Sequence, residues 1–180
     1  STDGIRDMSE TNSDKDKKLV DAHKTMVERV RKTMDEEKQE TTPKVLHALE
    51  NAKEKAIELG EVTREEAELV SDYIVRDLHD AADFIERNRA EFKDWLNLEM
   101  DIIEDTILDS LPPLVDETRL ALDQLKHRAD SVGEWHTGEI VSPGKFICKS
   151  CDKTLEIHKT GHIPPCPSCK GTKFRRQSTQ

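Results

Sequence analysis

The sequence is poor in the residues that build a thick globular core. Of 180 residues only 4% are aromatic, with two tryptophans, one tyrosine and four phenylalanines, whereas 37% carry a charge. No apolar run approaches the roughly 20 residues that a membrane-spanning helix needs. We therefore expect a soluble, mainly α protein of one or two domains with much solvent-exposed helical surface and no membrane contact.

The sequence also lacks an apolar segment near its beginning, where charges appear from Asp3 onward. Without the apolar region of a signal peptide, we expect a cytoplasmic protein in a reducing compartment. Cysteine thiols persist in such a compartment and are free to bind a metal.

Catalytic signatures are missing as well. We find no glycine-rich phosphate loop, no Gly-x-Ser-x-Gly elbow and no zincin helix. Rubrerythrin-like peroxidases join a di-iron helical bundle to a four-cysteine ribbon, and their bundles need Glu-x-x-His pairs. No histidine of the helical part has a glutamate three residues earlier; those histidines are His23, His47, His79 and His127. We expect a protein that is not an enzyme, with no catalytic residues.

The most specific pattern is formed by the chain's four cysteines. Cys148-x-x-Cys151 is followed, after fourteen residues, by Cys166-x-x-Cys169. Two such turns, on facing β-hairpins, predict a closed four-thiolate site for one zinc ion, with a third strand through Phe174. A closed shell is structural rather than catalytic, and the small segment around it needs the metal in order to fold.

Two other readings of the cysteines stay open. The thiols could form two disulfides, or they could hold iron in a rubredoxin-like redox site. The histidines between the pairs, His158 and His162, are interpreted as surface residues rather than ligands, because four thiolates already complete the shell.

The rest of the chain predicts helices. We expect disorder over residues 1–13, a helical bundle or coiled-coil-like stalk over 14–133 and the zinc-ribbon domain with a basic tail over 134–180. The predicted apolar stripes are Leu19, Met26, Val30 and Met34; Val45, Leu49, Ala52, Ala56 and Leu59; Ala67, Ile74, Leu78, Ala81, Ile85, Phe92, Trp95, Leu96, Ile103 and Ile107; and Leu114, Leu122, Leu125, Ala129 and Val132.

Breaks and caps divide these stripes. Thr41-Thr42-Pro43 predicts a helix restart, Gly60 a C-terminal cap, and Thr63 with Glu66 a capping box. A helix unbroken from 64 to 110 would span roughly 70 Å, although a kink or break within it is open. Pro112-Pro113 predicts a turn into a last helix that ends at Gly133. The bundle could be completed by a second copy, which makes a homo-oligomer conceivable.

Charge is divided unevenly along the sequence. Residues 1–133 carry a net charge of −14 and residues 134–180 a net charge of +4. A basic cluster with one aromatic residue follows the last cysteine: Lys170, Lys173, Phe174, Arg175 and Arg176. We identify these five as candidate contacts with a partner or with nucleic acid, while the basic head could instead contact its own acidic helices.

The C-terminal part resembles a family of bacterial zinc-ribbon proteins typified by YbeL. The resemblance is carried by the Trp135–Val141 stretch, the four cysteines with Pro167 and Ser168, and the Phe174-Arg175-Arg176 run. It extends to Gly60–Thr63 and to Arg76-Asp77-Leu78, and it covers about residues 45–176. It implies helices followed by a structural zinc ribbon, with the four cysteines as ligands and no implied activity. Lys170 departs from the glycine that often follows the last cysteine, which predicts a looser turn.

The function we expect is that of a non-enzymatic adaptor or regulatory binding module for a protein partner. A nucleic-acid-binding ribbon and an iron redox protein are the alternatives. Trp135–Val141 is interpreted as the first strand of the ribbon rather than as a partner-binding surface.

Overall fold

The computed structural model of the chain describes residues 2–36, 44–120 and 134–177. The helices are α1 Thr2–Glu36, α2 Lys44–Glu58, α3 Arg64–Asn88, α4 Phe92–Leu96 and α5 Asp105–Leu120, with one 3-10 turn at Met100–Ile102. The strands are β1 Trp135–His136, β2 Ile140–Val141, β3 Gly144–Cys148, β4 Thr154–Ile157, β5 Gly161–His162 and β6 Lys173–Gln177. The fold is therefore mainly α with a small C-terminal β ribbon, which confirms the predicted class.

Helix α1 begins earlier than the sequence led us to expect. It starts at Thr2, so the structure assigns helix to residues 2–13, where we had predicted disorder. Extending an existing helix adds one hydrogen bond for each residue fixed, and no proline interrupts Thr2–Glu36. The predicted restart at Thr41-Thr42-Pro43 lies outside the described residues.

The caps between α2 and α3 agree with the sequence. Gly60 has a φ of 72°, its amide donates to Ile57 O, and the amide of Glu61 donates to Ala56 O over 3.0 Å. These two bonds form a Schellman cap that ends α2. The Thr63 hydroxyl accepts from the amide of Glu66, whose carboxylate accepts from the amide of Thr63, so the predicted capping box opens α3.

The helical pattern over residues 64–110, whose continuity the sequence left open, is broken in the structure. Arg89 takes a left-handed φ of 51°, and a second cap forms at Glu91, whose amide donates to the Asp94 carboxylate. The short helix α4 that follows packs Trp95, which is fully buried, and the Trp95 Nε1–H donates to Asp80 at 3.2 Å. Burial of a large aromatic ring against α3 offsets the lost helical hydrogen bonds.

Pro112-Pro113 does not turn the chain as predicted, because both prolines lie inside α5. Proline in a helix interior removes backbone hydrogen bonds, yet its φ is compatible with the helix. Burial of the apolar face of α5 offsets the cost of the lost backbone hydrogen bonds. Four side chains of this face are only 0–1% exposed: Ile107, Leu111, Leu114 and Val115. The predicted continuation through Leu122, Leu125, Ala129 and Val132 to Gly133 lies outside the described residues.

The helices pack around one hydrophobic core. α1 packs against α2, α3 and α5, and α3 packs against α2 and α5. The described residues of the predicted stripes face this core, except that Leu59 is 53% exposed beyond the end of α2. Within the described ranges, no helix is both long enough and apolar enough to cross a membrane.

The ribbon contains two sheets. A four-stranded antiparallel sheet has the order β1-β6-β3-β4, and a two-stranded sheet pairs β2 with β5. Phe146 lies opposite both Leu155 and Arg176, so β3 is the central strand between its hairpin partner and the last strand. The Trp135–Val141 stretch contributes two strands rather than one, because the chain turns at Gly138 with a φ of 95°.

Candidate metal centre

Two matching turns hold the four cysteines. The first follows β3 and the second precedes β6, so both turns lie at the same end of the four-stranded sheet. In the first, the amide of Asp152 donates to Cys148 O at 2.9 Å; in the second, the amide of Lys170 donates to Cys166 O at 2.8 Å. The same local geometry thus occurs twice and aims two pairs of sulfurs at one point.

The sulfur positions fit a tetrahedral ion. The Cys148 and Cys169 Sγ atoms are 3.5 Å apart, those of Cys151 and Cys166 are 3.6 Å apart, and all four lie within 4.8 Å of one another. A zinc–sulfur bond of about 2.3 Å requires sulfur–sulfur edges of about 3.8 Å. A disulfide needs about 2.05 Å, so the four thiols are free and the disulfide alternative is wrong.

Backbone amides favour the thiolate at the first cysteine of each pair. The amides of Cys169 and Ser168 donate to the Cys166 sulfur and lower the pKa of that thiol to about 6. The amides of Cys151 and Ser150 likewise lower the pKa of the Cys148 thiol. Because metals bind thiolates, donors at these positions prepare the site for a cation.

The turn after the last cysteine is not looser than its counterpart. Lys170 and Asp152 occupy equivalent positions, and both have a left-handed φ of 62°. Lys170 therefore adopts the conformation for which glycine is usually selected. Gly171, one residue later, is needed for close approach, because a Cβ there would lie 3.1 Å from the Cys148 sulfur and 3.2 Å from the Cys169 sulfur.

The two histidines of the ribbon stay outside the site. His158 Nε2 lies 3.1 Å from the Glu156 carboxylate, and His162 Nδ1 lies 2.7 Å from Gly138 O. Neither joins the four-sulfur cluster. The sulfurs instead continue into a small apolar core, in which the cysteines Cys148 and Cys166 pack with Trp135, Val141, Phe146, Ile163 and Phe174.

The basic cluster after the last cysteine is divided by the alternation of β6. Lys170, Lys173 and Arg175 are exposed, whereas Phe174 is fully buried and Arg176 is 8% exposed. Phe174 and Arg176 are thus unavailable for the partner or nucleic-acid contacts suggested from the sequence. A strand directs alternate residues to opposite faces, and Arg176 shares the inward face of Phe174.

Arg176 binds the protein's own helical bundle. Its guanidinium lies 3.0 Å from the Asp77 carboxylate and 3.4 Å from that of Asp80, and it donates to the carbonyls of Ser142 and Pro143. It also stacks 4.0 Å from the centre of the Trp95 ring, a cation–π geometry. Burial raises the pKa of Asp80, against the opposing effect of Arg176.

A second arginine holds the ribbon from the bundle side. Arg76 of α3 pairs with Glu139, lies 4.2 Å over the Trp135 ring and donates to Glu134 O. The amide of Ser142 also donates to Asp77 at 2.6 Å. Ile140 of β2 packs into the core of the bundle rather than that of the ribbon. The Trp135–Val141 stretch therefore binds the chain's own helix α3.

The sequence left contact between the basic head and the acidic helices open, but it did not identify the residues that form this interface. The period-2 pattern of β6 offered a signal, since a buried Phe174 places Arg176 on the buried face. Nothing local in α3 distinguishes Arg76 and Asp77 from the other charged residues of that helix.

Comparison with known proteins gives the same picture. The family model described as a zinc-ribbon containing domain matches residues 32–178. The uncharacterized protein YbeL of Escherichia coli strain K12 is 29% identical over 129 residues, which is 72% of this chain and 79% of that protein. YbeL from strains O6:H1 and O157:H7 matches with the same values. No solved structure matches the chain.

The matched region includes all four cysteines and both sides of the interface between ribbon and bundle. Four free sulfurs at zinc-compatible separations, on a small β ribbon after a helical bundle, agree with the description of the family. The chain belongs to the zinc-ribbon containing domain family.

Proposed function

We propose that the protein is a non-enzymatic cytoplasmic adaptor whose ribbon holds one structural zinc ion and binds an acidic protein partner. The observation that carries the proposal is the orientation of the ribbon. Its inner side packs against the bundle through Arg176, while the opposite side faces solvent. We call the solvent-facing side of β3 and β6 the outer ribbon face, and it comprises Lys145, Ile147, Lys173 and Arg175.

The outer ribbon face has the features of a protein contact. Ile147 is half-buried and lies opposite Arg175, so an apolar side chain has a basic neighbour in register. Such mixtures of apolar and arginine side chains are common at protein interfaces. The positive charge of residues 134–180 favours an acidic partner.

An open groove extends this face toward the bundle. It has a volume of about 620 Å³ and lies between the ribbon and the α4 region. Its lining includes the 42% exposed Ile102, the apolar Leu98, the neutral Asn97 and charges of both signs: Lys93, Asp94, Glu99, Lys145 and Glu156. A mixed lining of this kind suits a polypeptide better than a polyanion.

The test uses the full chain in its source organism. A photo-crosslinking residue at position 175 should capture a reproducible acidic protein, and the double variant Ile147→Asp with Arg175→Glu should reduce its binding at least about tenfold at unchanged zinc content. Lys159→Glu, which changes an exposed lysine outside this face, is the matched control. Equal loss in the control, or full binding by the double variant, contradicts the proposal.

Nucleic-acid binding is a second candidate, because Lys173 and Arg175 project from one strand near the exposed Lys149 and Lys170. Burial of Phe174 weakens it by removing the aromatic ring on which a base could stack. Fluorescence anisotropy with labelled oligonucleotides at 50 and 200 mM salt tests it. Salt-sensitive binding that is lost in Lys173→Glu with Arg175→Glu supports this candidate, and no binding at low salt rejects it.

A homo-oligomer formed through the helices remains a prediction. Analytical ultracentrifugation of the zinc-loaded chain at several concentrations measures the oligomeric state directly.

A further inference from the structure

We propose that the ribbon is a metal-controlled latch on the helical bundle. Loss of the metal would release Arg176 and Ile140 and expose the face of α3 and α4 that carries Asp77, Asp80 and Trp95. The inference goes beyond the adaptor function, because it concerns how the metal determines which surface of the bundle the protein presents.

The first step is the direct connection between the metal site and the latch. Strand β6, which carries Arg176, begins four residues after the ligand Cys169. At its start, Phe174 pairs with the ligand Cys148 of β3, and two residues later Arg176 pairs with Phe146. The strand that inserts the arginine is therefore fixed in place by ligand-bearing segments.

The second step is that the ribbon depends on its metal. Its hydrophobic core consists of a few side chains, and two of the core members are the ligands Cys148 and Cys166 themselves. Small domains built around structural zinc unfold when the metal is removed.

The third step is that the bundle has a core of its own. Apart from Ile140, every buried member of that cluster comes from the helices or their connections, between Leu19 and Val115. The helices thus keep most of their apolar burial when the ribbon leaves. Release of the ribbon exposes a defined surface instead of unfolding the whole chain.

The fourth step concerns the surface that becomes exposed. The Asp77 and Arg176 side chains are 1% and 2% exposed, and Trp95 is fully buried. A buried carboxylate without its cation is strongly unfavourable, so release of Arg176 requires that water reach Asp77. The two states therefore differ in an acidic patch that contains a tryptophan. The ribbon covers this patch when the metal is bound, and the patch is exposed to solvent when the metal is absent.

The experiment follows the accessibility of Trp95 in the full chain. The chain has two tryptophans, so Trp135→Phe leaves Trp95 as the sole fluorophore. With zinc bound, we expect little quenching by acrylamide. After chelation, we expect several-fold stronger quenching while the helical circular dichroism signal persists. In the unsubstituted chain, fluorine NMR with 5-fluorotryptophan reports both tryptophans and serves if Trp135→Phe fails to fold.

Thermodynamic linkage gives a second readout, because a latch that requires zinc must in turn strengthen zinc binding. In competition with a chelator, the zinc affinity of Arg176→Ala should be roughly 5- to 150-fold lower than that of the original chain, the range typical of coupled sites. Arg175→Ala, which changes the exposed neighbour on the same strand, is the matched control and should leave zinc affinity unchanged.

Three results would overturn the latch. Trp95 could stay protected after verified metal loss, the helical signal could disappear in the same step, or Arg176→Ala could hold zinc as tightly as Arg175→Ala. The first would mean that the ribbon stays docked, the second that the bundle does not persist alone, and the third that the two sites are uncoupled.

Discussion

The guanidinium of Arg176 lies 3.0 Å from the carboxylate of Asp77, 99 positions earlier in the chain. This ion pair is almost completely buried, at 2% and 1% side-chain exposure. It joins the last strand of the ribbon to the middle of the third helix. A contact of such sequence separation fixes the position of the metal-binding domain on the bundle.

Removing one charge of this pair should destabilise the protein strongly. Asp77→Asn leaves the buried Arg176 with only the more distant Asp80 carboxylate, at 3.4 Å, as a counter-charge, and it also weakens the bond from the Ser142 amide. We expect the free energy of unfolding of the zinc-loaded protein to fall by about 3–5 kcal/mol, measured by urea denaturation. Asp83→Asn, which breaks the exposed pair with Arg87, should change it by less than about 1 kcal/mol. Equal effects of the two variants would show that the buried pair has no special role.

Crowding the sulfurs should weaken metal binding. In Gly171→Ala the new Cβ would lie 3.1 Å from both the Cys148 sulfur and the Ser150 hydroxyl. We expect a roughly 10- to 100-fold loss of zinc affinity in chelator competition, the range for substitutions that disturb the surroundings of metal ligands. Gly161→Ala is the control, because its nearest neighbour would be Lys159 O at 3.8 Å. A normal affinity in Gly171→Ala would show that the turn relaxes freely.

Lys170→Gly should stabilise the ribbon. Lys170 holds a φ of 62°, a conformation that costs an L-residue about 1 kcal/mol and that glycine adopts freely. We therefore expect the free energy of unfolding of the zinc-loaded ribbon to rise by about 1 kcal/mol, measured by a denaturant titration followed by circular dichroism. Lys153→Gly, whose backbone is not left-handed, should instead be neutral or destabilising. A loss of stability in Lys170→Gly would mean that the lysine side chain contributes more than its backbone costs.

Acid should destabilise the fold through His23. This side chain is 1% exposed, neither ring nitrogen has a hydrogen-bond partner among the described residues, and burial lowers its pKa to about 4 despite the nearby Asp77 and Glu104 carboxylates. Between pH 6.5 and 4 the unfolded chain binds a proton that the folded protein excludes, so stability falls as the pH falls. The loss at pH 5 relative to pH 7.5 should be about 2 kcal/mol.

The comparison for this prediction is His23→Leu. Acid also protonates the cysteines, and that contribution is common to both proteins. The difference in urea stability between the original chain and His23→Leu, measured at each pH, isolates the histidine. A difference that is constant with pH would contradict a depressed pKa at His23.

The identity of the metal should be zinc, at one ion per chain. Protein purified without added metal should be colourless and should contain zinc by elemental analysis, because four thiolates in a closed tetrahedron suit this ion. A red protein that contains iron would instead support the redox alternative. Replacement of Cys166 by serine should abolish stoichiometric metal, whereas Ser168→Ala in the same turn should retain it.

Local spacing explains the parts of the structure that could be predicted. The separation of Cys148 from Cys151, and of Cys166 from Cys169, brings two sulfurs together within one turn, so the four-sulfur cluster could be predicted from the sequence. The caps at Gly60 and Thr63 and the buried stripe of α3 depend on contacts within four or five residues. Capping residues and apolar periodicity were therefore enough to find them.

The features that the sequence left open or predicted wrongly depend on distant contacts. The break at Arg89 is supported by packing of Trp95 against Asp80, and the two prolines are tolerated in α5 because that helix has a buried apolar face. Leu59 satisfies the periodicity of α2 but extends past the packed region. Each outcome balances a local preference against burial, and only the assembled bundle decides that balance.

The amino-acid sequence by itself determined the two cysteine pairs, the helix caps and the mainly α class, since each is encoded by residues that are neighbours along the chain. The tertiary structure alone decided that Arg176 and the Trp135–Val141 stretch bind helix α3 instead of facing solvent. The physical reason is that a charged side chain becomes buried only where the fold brings its counter-charge, and here that counter-charge is Asp77, far away in the sequence.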